Sequence, residues 1–390
     1  MKRWFGRTQK VQKNRVYFDS SSTTNVHPEV LKTYETLLET YYVNSESLYD
    51  EGSEIHRMME KARNAIAGLL GVSSQEILFT AGASEANNAA IKGVCFANQE
   101  KKHIITTQIE HSSVLNCCRQ LEEHFGYAVT YLPVNEKGVV RVEDVKDALR
   151  KDTAIVSIMH VNNEVGSINP INDIKEIIKK QSQAYFHVDL TQSFSKVPLD
   201  LKDIDLASLS AHKIEGLKGS GLLVKKRHVP FLPLICGGEQ EFGLRGGTSN
   251  ALVNMVLAKT MRLALEEHKT YQAHIQLLKE ELLSGLKGIE GIQINSSEEG
   301  ISEIVNFSYP NIPSEIMQNA LNEKGYLVSA RSTCESKSHN PSYVLLAMGY
   351  NEAIANSCIR ISLSKHNTIE EVHGFIDALK EIIASYGKRI

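Results

Sequence analysis

Lys213 follows Ser210 and His212 at the end of the apolar run IDLASLS, and Gly216, Gly219 and Gly221 come behind it in LSAHKIEGLKGSG. A lysine there is either a surface charge or a nucleophile. Desolvation and nearby positive charge lower the pKa of a buried lysine and free its amine for Schiff-base chemistry, whereas an exposed lysine stays protonated. Four other apolar runs end in polar clusters: AGASEANN after EILFT, Glu110-His111 after HIITTQI, VNNEVG after IVSIMH, and DLTQ after AYFHV. Ala81, Gly82, Ala83 and Ser84 are small residues at a strand-to-helix turn. Free backbone N–H groups and the helix dipole at such a turn favour a phosphate, although a plain tight turn uses the same residues. Asp189, inside YFHVDL, is costly to bury as a charge unless it meets a cation such as a protonated pyridinium nitrogen. Capping the next turn is its simpler role.

Pyridoxal 5′-phosphate (PLP) needs a phosphate cradle, an acid for its ring nitrogen, an aromatic or imidazole face, and a Schiff-base lysine. Candidates for all four are present in these clusters.

The elements that must position them follow from the same runs. Between about Glu76 and Lys225, short β-rich apolar runs alternate with amphipathic helical stretches such as SEANNAAIKGVCFA, SSVLNCCRQLEEHF and NDIKEIIKKQSQ. That rhythm predicts α/β architecture, a mostly parallel sheet flanked by helices. Ligands of such sheets sit beyond the carboxyl ends of the strands, where these clusters fall. After about Leu265 a long helical stretch, the runs EIVNFSY, YLVSA and IRISLS, and a terminal helix predict a smaller α+β unit. The expected division is a large cofactor-binding domain over 27–265 and a small domain from 1–26 and 266–390.

With 390 residues the chain exceeds the roughly 250–300 at which single cores stop growing, which supports two domains. A net charge of −3 gives no general attraction to nucleic acid or anionic membranes. No apolar run approaches the ~20 residues that span a bilayer, and the basic opening MKRWFGRTQKVQKNR has no apolar stretch behind it. The expected location is cytoplasmic. The six cysteines form no paired metal-ligand pattern and no dense disulfide framework, so no metal is expected.

In these blocks the chain resembles cysteine desulfurases of the NifS/IscS type, in the fold-type I, class V aminotransferase group of PLP enzymes. The resemblance runs from YFDSSSTTNVHPEVL to IRISLS through FTAGASEANNAAIKG, HVNNEVGSINPI, HVDLTQSFSKVPLDL, SAHKIEGLKGSG and GLRGGTSN. It implies that Lys213 holds PLP covalently, that Asp189 pairs with the pyridine nitrogen, and that His111 stacks on the ring and helps in proton transfer. Asn163 and Gln192 would address the substrate carboxylate side and the phenolic oxygen. Ala83, Ser84, Ser210 and His212 would cradle the phosphate. Thr248 would reach the phosphate of a neighbouring subunit, which implies a homodimer with shared sites. Arg360 resembles the arginine that grips the substrate α-carboxylate, a task suited to its bidentate fork.

Five cysteines lie in apolar or helical settings, such as KGVCFA and LICGG, and are expected to pack. Cys334 differs, lying in the polar stretch SARSTCESKSHNPSYVLLAMG with Arg331, Lys337 and His339 nearby in sequence. Positive neighbours favour the thiolate, which is the nucleophile. The resemblance then implies conversion of L-cysteine to L-alanine, with a persulfide on Cys334 that passes to a sulfur-acceptor protein. A basic residue shortly before that cysteine and an ending at YGKRI without an apolar tail favour a tRNA-thiolation enzyme as acceptor over an iron–sulfur scaffold. The chain departs from the family's usual motifs at Arg331-Ser332-Thr333-Cys334, Asp19-Ser20-Ser21-Ser22, and Asn44-Ser45-Glu46-Ser47-Leu48-Tyr49. Alternatives are selenocysteine lyase, another PLP-dependent lyase or aminotransferase, or a catalytically inactive scaffold.

Overall fold

The computed structural model describes residues 15–330 and 340–387. The chain enters through a short strand, β1 (Val16–Tyr17), and two helices, α1 (Pro28–Thr40) and α2 (Asp50–Leu70). Pro28 starts α1 where its missing N–H costs nothing. Gly71, at φ 66°, closes α2 in the left-handed conformation that a side chain would strain.

Seven strands then build one sheet: β2 (Ile77–Thr80), β3 (His103–Thr107), β4 (Ala128–Leu132), β5 (Thr153–Met159), β6 (Tyr185–Asp189), β7 (Leu206–Ser210) and β8 (Gly221–Lys225). Their order is β2-β8-β7-β6-β5-β3-β4. Only β8 runs antiparallel to its neighbours, β2 and β7. The helices between strands are α3 (Ala83–Ala97), α4 (Ser112–Phe125), α5 (Val142–Ala148) and α6 (Ile171–Gln181). All seven residues of β5, TAIVSIM, are buried, as expected of a strand covered on both faces. The alternation read from the sequence is thus the observed α/β architecture.

Helix α7 (Ala251–Lys287) is 37 residues long and begins well before the helical stretch expected after Leu265. Its first half buries Ala251, Val253, Val256, Leu257, Thr260, Met261 and Leu263 on a broad face, which blurs the amphipathic period. Ala251, Leu257 and Met261 belong to the core under the large sheet. Ile275, Leu278, Leu282 and Leu286 belong to a second core with Phe18, Phe307, Ile359 and Phe375. The boundary expected at 265 therefore falls inside one continuous helix.

The second core is framed by β9 (Gln293–Ile294), β10 (Ile304–Ser308), α8 (Ser314–Glu323), β11 (Tyr326–Leu327), β12 (Cys358–Ser362) and α11 (Ile369–Gly387), while α9 (Tyr343–Ala347) and α10 (Glu352–Asn356) pack in a separate cluster with Ile109 and Val165. β10 pairs antiparallel with β12 and β9, while β1 pairs parallel with β11. The residues after β1 thus leave the smaller unit and run beneath the carboxyl ends of the large sheet. No helix among the described residues is long and apolar enough to cross a membrane.

Candidate active site

Four strand ends and one helix start meet at a cavity of about 490 Å³. Ten of the twelve residues expected at the site line it: Ala83, Ser84, His111, Asn163, Asp189, Gln192, Ser210, His212, Lys213 and Arg360. Thr248 is exposed and does not line the cavity of its own chain. Cys334 lies outside the described residues.

Lys213 closes a single helical turn, Ala211–Lys213, directly after β7. Its Nζ donates to the carbonyls of Ser21 and Ser22, both at 2.6 Å. Behind it, the chain must return at once into β8. A Cβ on Gly221 would stand 2.5 Å from Leu209 O and 2.6 Å from Gly82 Cα, so only glycine lets β8 start between the lysine turn and the α3 turn.

Asp189 ends β6 and is 5% exposed. Its Oδ1 accepts from Thr191 N at 2.9 Å, the turn-capping role, and its Oδ2 accepts from Asn87 Nδ2 at 2.8 Å. His111 caps the N-terminus of α4. Its pKa lies below the ordinary histidine value because burial, and then the Lys213 charge, outweigh the attraction of Asp189. His212 is pushed down to about 4 by burial and by Lys213 and Lys218.

Arg360 rises from β12 and is 1% exposed. Its NH1 donates to Asn163 O at 2.8 Å, and its NH2 donates to Asp19 Oδ1 at 2.9 Å and to Ser22 Oγ at 2.7 Å. Its Nε and the Oδ1 of Asn163 are buried and have no hydrogen-bond partner among the described residues. Gln192 Nε2 donates to Ser21 O at 3.0 Å.

Sequence reasoning missed the floor of this cavity, residues 19–24. Ser21, Ser22 and Thr23 line it, and Thr24 N and Oγ1 both donate to His212 O, at 2.9 and 3.0 Å. The floor acts largely through backbone carbonyls, which leave no mark in residue type. Its signal was the polar string DSSSTT directly after the first strand. Asn87, buried beside Asp189, was also missed.

The cavity fits PLP. The turn before α3 has no side-chain cap, which leaves helix N–H groups for a phosphate, with Gly82 only 3.3 Å from Ser210 Oγ measured from an ideal Cβ. A buried carboxylate stands ready for the ring nitrogen, and Asn163 Oδ1 and Arg360 Nε, without partners among the described residues, could meet a ligand.

A lysine, a buried carboxylate and a histidine converging at strand ends beside a helix N-terminus define a PLP-type site on an α/β scaffold. The aminotransferase class-V family model matches residues 16–375, and the chain belongs to that family. It is of the NifS/IscS type, whose enzymes depend on PLP. A NifS/IcsS protein homolog of Lactobacillus delbrueckii subsp. bulgaricus is 40% identical over 379 residues, covering 96% of this chain and 98% of the relative. A cysteine desulfurase IscS of Methanosarcina thermophila is 39% identical over 382 residues, covering 97% and 94%. Among solved structures, a NifS-like protein superposes with a TM-score of 0.89 at 40% identity, covering 95% of this chain and 100% of the other.

Proposed function

We propose that this protein is a PLP-dependent cysteine desulfurase, which takes sulfur from L-cysteine, releases L-alanine and leaves a persulfide on Cys334. The observation that carries the reading is the convergence of Lys213, Asp189, His111 and Arg360 on one cavity in a chain 39% and 40% identical to proteins named for that activity. When bound, PLP supplies an electron sink for the charge left by loss of the substrate Cα proton.

The remaining steps belong to the chain. Lys213 provides the amine that holds and releases the cofactor, and the Ser21 and Ser22 carbonyls seat that amine when it is free. Asp189, held by Asn87 and Thr191, would pair with the ring nitrogen. The helix start at Ala83 and Ser84, with Ser210 and His212, would cradle the phosphate, and Gln192, which also lines the cavity, would address the phenolic oxygen. Arg360 grips the substrate carboxylate through hydrogens not used by Asp19, Ser22 and Asn163 O, with Asn163 alongside.

The Cys334 thiolate attacks the substrate sulfur. The S–S bond forms as the Cβ–S bond breaks, and the pair left on Cβ takes a proton to complete the methyl group of alanine. Ser329 supports this placement, because it exchanges backbone hydrogen bonds with Arg360 at 3.3 and 2.7 Å. Cys334 follows Ala330 by four residues, a reach of at most about 14 Å.

The sulfur then passes to an acceptor protein, for which Arg331 favours a tRNA-thiolation enzyme, in the cytoplasm. A homodimer is part of the reading. Leu232, Leu234, Ile235 and Phe242 are exposed in the segment before Thr248, a face a second copy would cover. Arg245 of that segment bonds Glu85 Oε1 at 2.9 Å, tying it to the α3 start where the phosphate would lie.

The test is to add L-cysteine to the PLP-loaded protein under a thiol reductant and assay alanine and sulfide. Equal amounts of both, with no protein-bound persulfide in Cys334→Ser, are expected. An oxo acid in place of alanine would overturn the desulfurase reading in favour of transamination.

A further inference from the structure

His111 carries two ring nitrogens, and the neighbouring hydrogen bonds decide which one bears the proton. Ser113 N donates to His111 Nδ1 at 3.1 Å, so Nδ1 must offer its lone pair. Ser113 Oγ lies 2.8 Å from the same nitrogen. The direction of that second bond follows from the first, and the hydroxyl is held one step further back. Asn87 Nδ2 donates to Ser113 Oγ at 2.9 Å and to Asp189 Oδ2 at 2.8 Å, so both amide hydrogens are committed. Flipping the amide would set Asn87 Oδ1 against the Asp189 carboxylate. Because Nδ1 accepts from Ser113 N and so carries no proton, it cannot donate to Ser113 Oγ, and the hydroxyl proton points at Nδ1 while its oxygen accepts from Asn87. Asn88 Nδ2 donates to Ser113 O at 3.2 Å and holds the backbone in place.

We infer that Asn87 and Ser113 hold His111 as the neutral Nε2–H tautomer, so that His111 donates a hydrogen bond to the bound ligand and does not serve as its base. An imidazolium would need a proton on Nδ1, where two donors already point. Burial and the Lys213 charge act in the same direction. The ring therefore presents one polar hydrogen, on Nε2, suited to an anionic or lone-pair acceptor on the cofactor or its substrate adduct. Asn87 and Ser113 are positioning residues: they also connect the acid proposed for the ring nitrogen to the ring proposed to stack on it. This departs from the proton-transfer role that the family resemblance implies for His111. The inference rests on the proposed PLP reading only for the identity of the ligand.

The test is long-range ¹⁵N–¹H correlation NMR of the PLP-loaded protein labelled with ¹⁵N-histidine, between pH 6.5 and 8.5, with the His111 signals assigned by their loss in His111→Gln. Protonated Nε2 and unprotonated Nδ1 are expected throughout, favoured by at least about tenfold, as two ordinary hydrogen bonds would give. An Nδ1–H tautomer, or an imidazolium at neutral pH, would overturn the inference. Ser113→Ala should raise the population of the other forms, and Ser113→Thr, which keeps the hydroxyl, should restore the wild-type pattern. A Ser113→Ala spectrum identical to wild type would remove the hydroxyl from the argument and sink its positioning role. Because the spectrum requires no turnover, a protein with this tautomer and no alanine production would refute the desulfurase reading alone.

Discussion

Arg360 is held by more bonds than a mobile substrate anchor would have. Asp19, Ser22 and the Asn163 carbonyl fix its guanidinium in place, which removes in advance the rotamer entropy that an arginine otherwise loses on binding. The Nε hydrogen finds no acceptor among the described residues at a side chain 1% exposed, a cost that a carboxylate would relieve. Arg360→Lys keeps a positive charge beside Asp19 but loses the fork. Charge-assisted hydrogen bonds contribute roughly 1.5–3 kcal/mol, so KM for L-cysteine should rise by about tenfold or more while kcat falls less. Steady-state kinetics on the variant decide the matter, and an unchanged KM would place the carboxylate on another group. Arg360→Ala is a poorer probe, because it strands the Asp19 carboxylate as well.

At the scale of elements, the site depends on two close approaches that its functional groups do not themselves make. Gly221 allows β8 to start against Leu209 O and Gly82 Cα. Gly221→Ala forces backbone against backbone, so the lysine turn and the α3 turn must separate. The expected result is loss of PLP retention, read by absorbance after desalting, together with a lower Tm. The second approach is the segment carrying Thr248, anchored by a buried ion pair. Arg63 NH1 bonds Glu241 Oε2 at 2.7 Å, and Phe79 N donates to the same oxygen at 2.8 Å. Both partners are almost fully buried, and Glu241 sits at φ 48°. Breaking a buried pair by removing one charge costs about 3–5 kcal/mol, so Glu241→Gln should lower stability by that order in denaturant unfolding. A loss below about 1 kcal/mol would mean that water replaces the pair. These anchors explain what was legible in the sequence and what was not. Each strand of EILFT, TAIVSIM or YFHVD announced itself by an apolar run, and a polar residue of the cluster that follows each, Ser84, Asn163 and Gln192 in turn, lines the cavity. Residues 19–24 work through backbone carbonyls, Asn87 through burial, and Glu241 through a partner 178 positions away, none of which a local pattern records. Cys236, expected to pack, is instead exposed, because LICGG belongs to the surface segment that precedes Thr248.

For the molecule as a whole, buried histidines set how stability responds to acid. His103, His160 and His187 are all pushed down to about 4, each chiefly by burial. In the unfolded chain each binds a proton near its ordinary value of about 6.5. Between those values the unfolded state holds more protons than the native state, so stability falls as the pH is lowered from about 6.5 towards 4. Glu110 acts in the opposite sense. Burial pushes its carboxyl up to about 8, so the native state keeps a proton that the unfolded chain releases above about 4.5, and its contribution declines as the pH rises. Where the windows overlap, three groups oppose one, and the histidines dominate. His212 lines the cavity, where a phosphate would raise its pKa and remove most of its part in this loss. Tm measured with saturating PLP should therefore drop steadily from pH 6.5 to 4.5. Glu110→Gln removes the opposing contribution and should steepen that drop, whereas His160→Gln should make it shallower. A Tm that is flat across the window would mean that these histidines take up protons inside the fold.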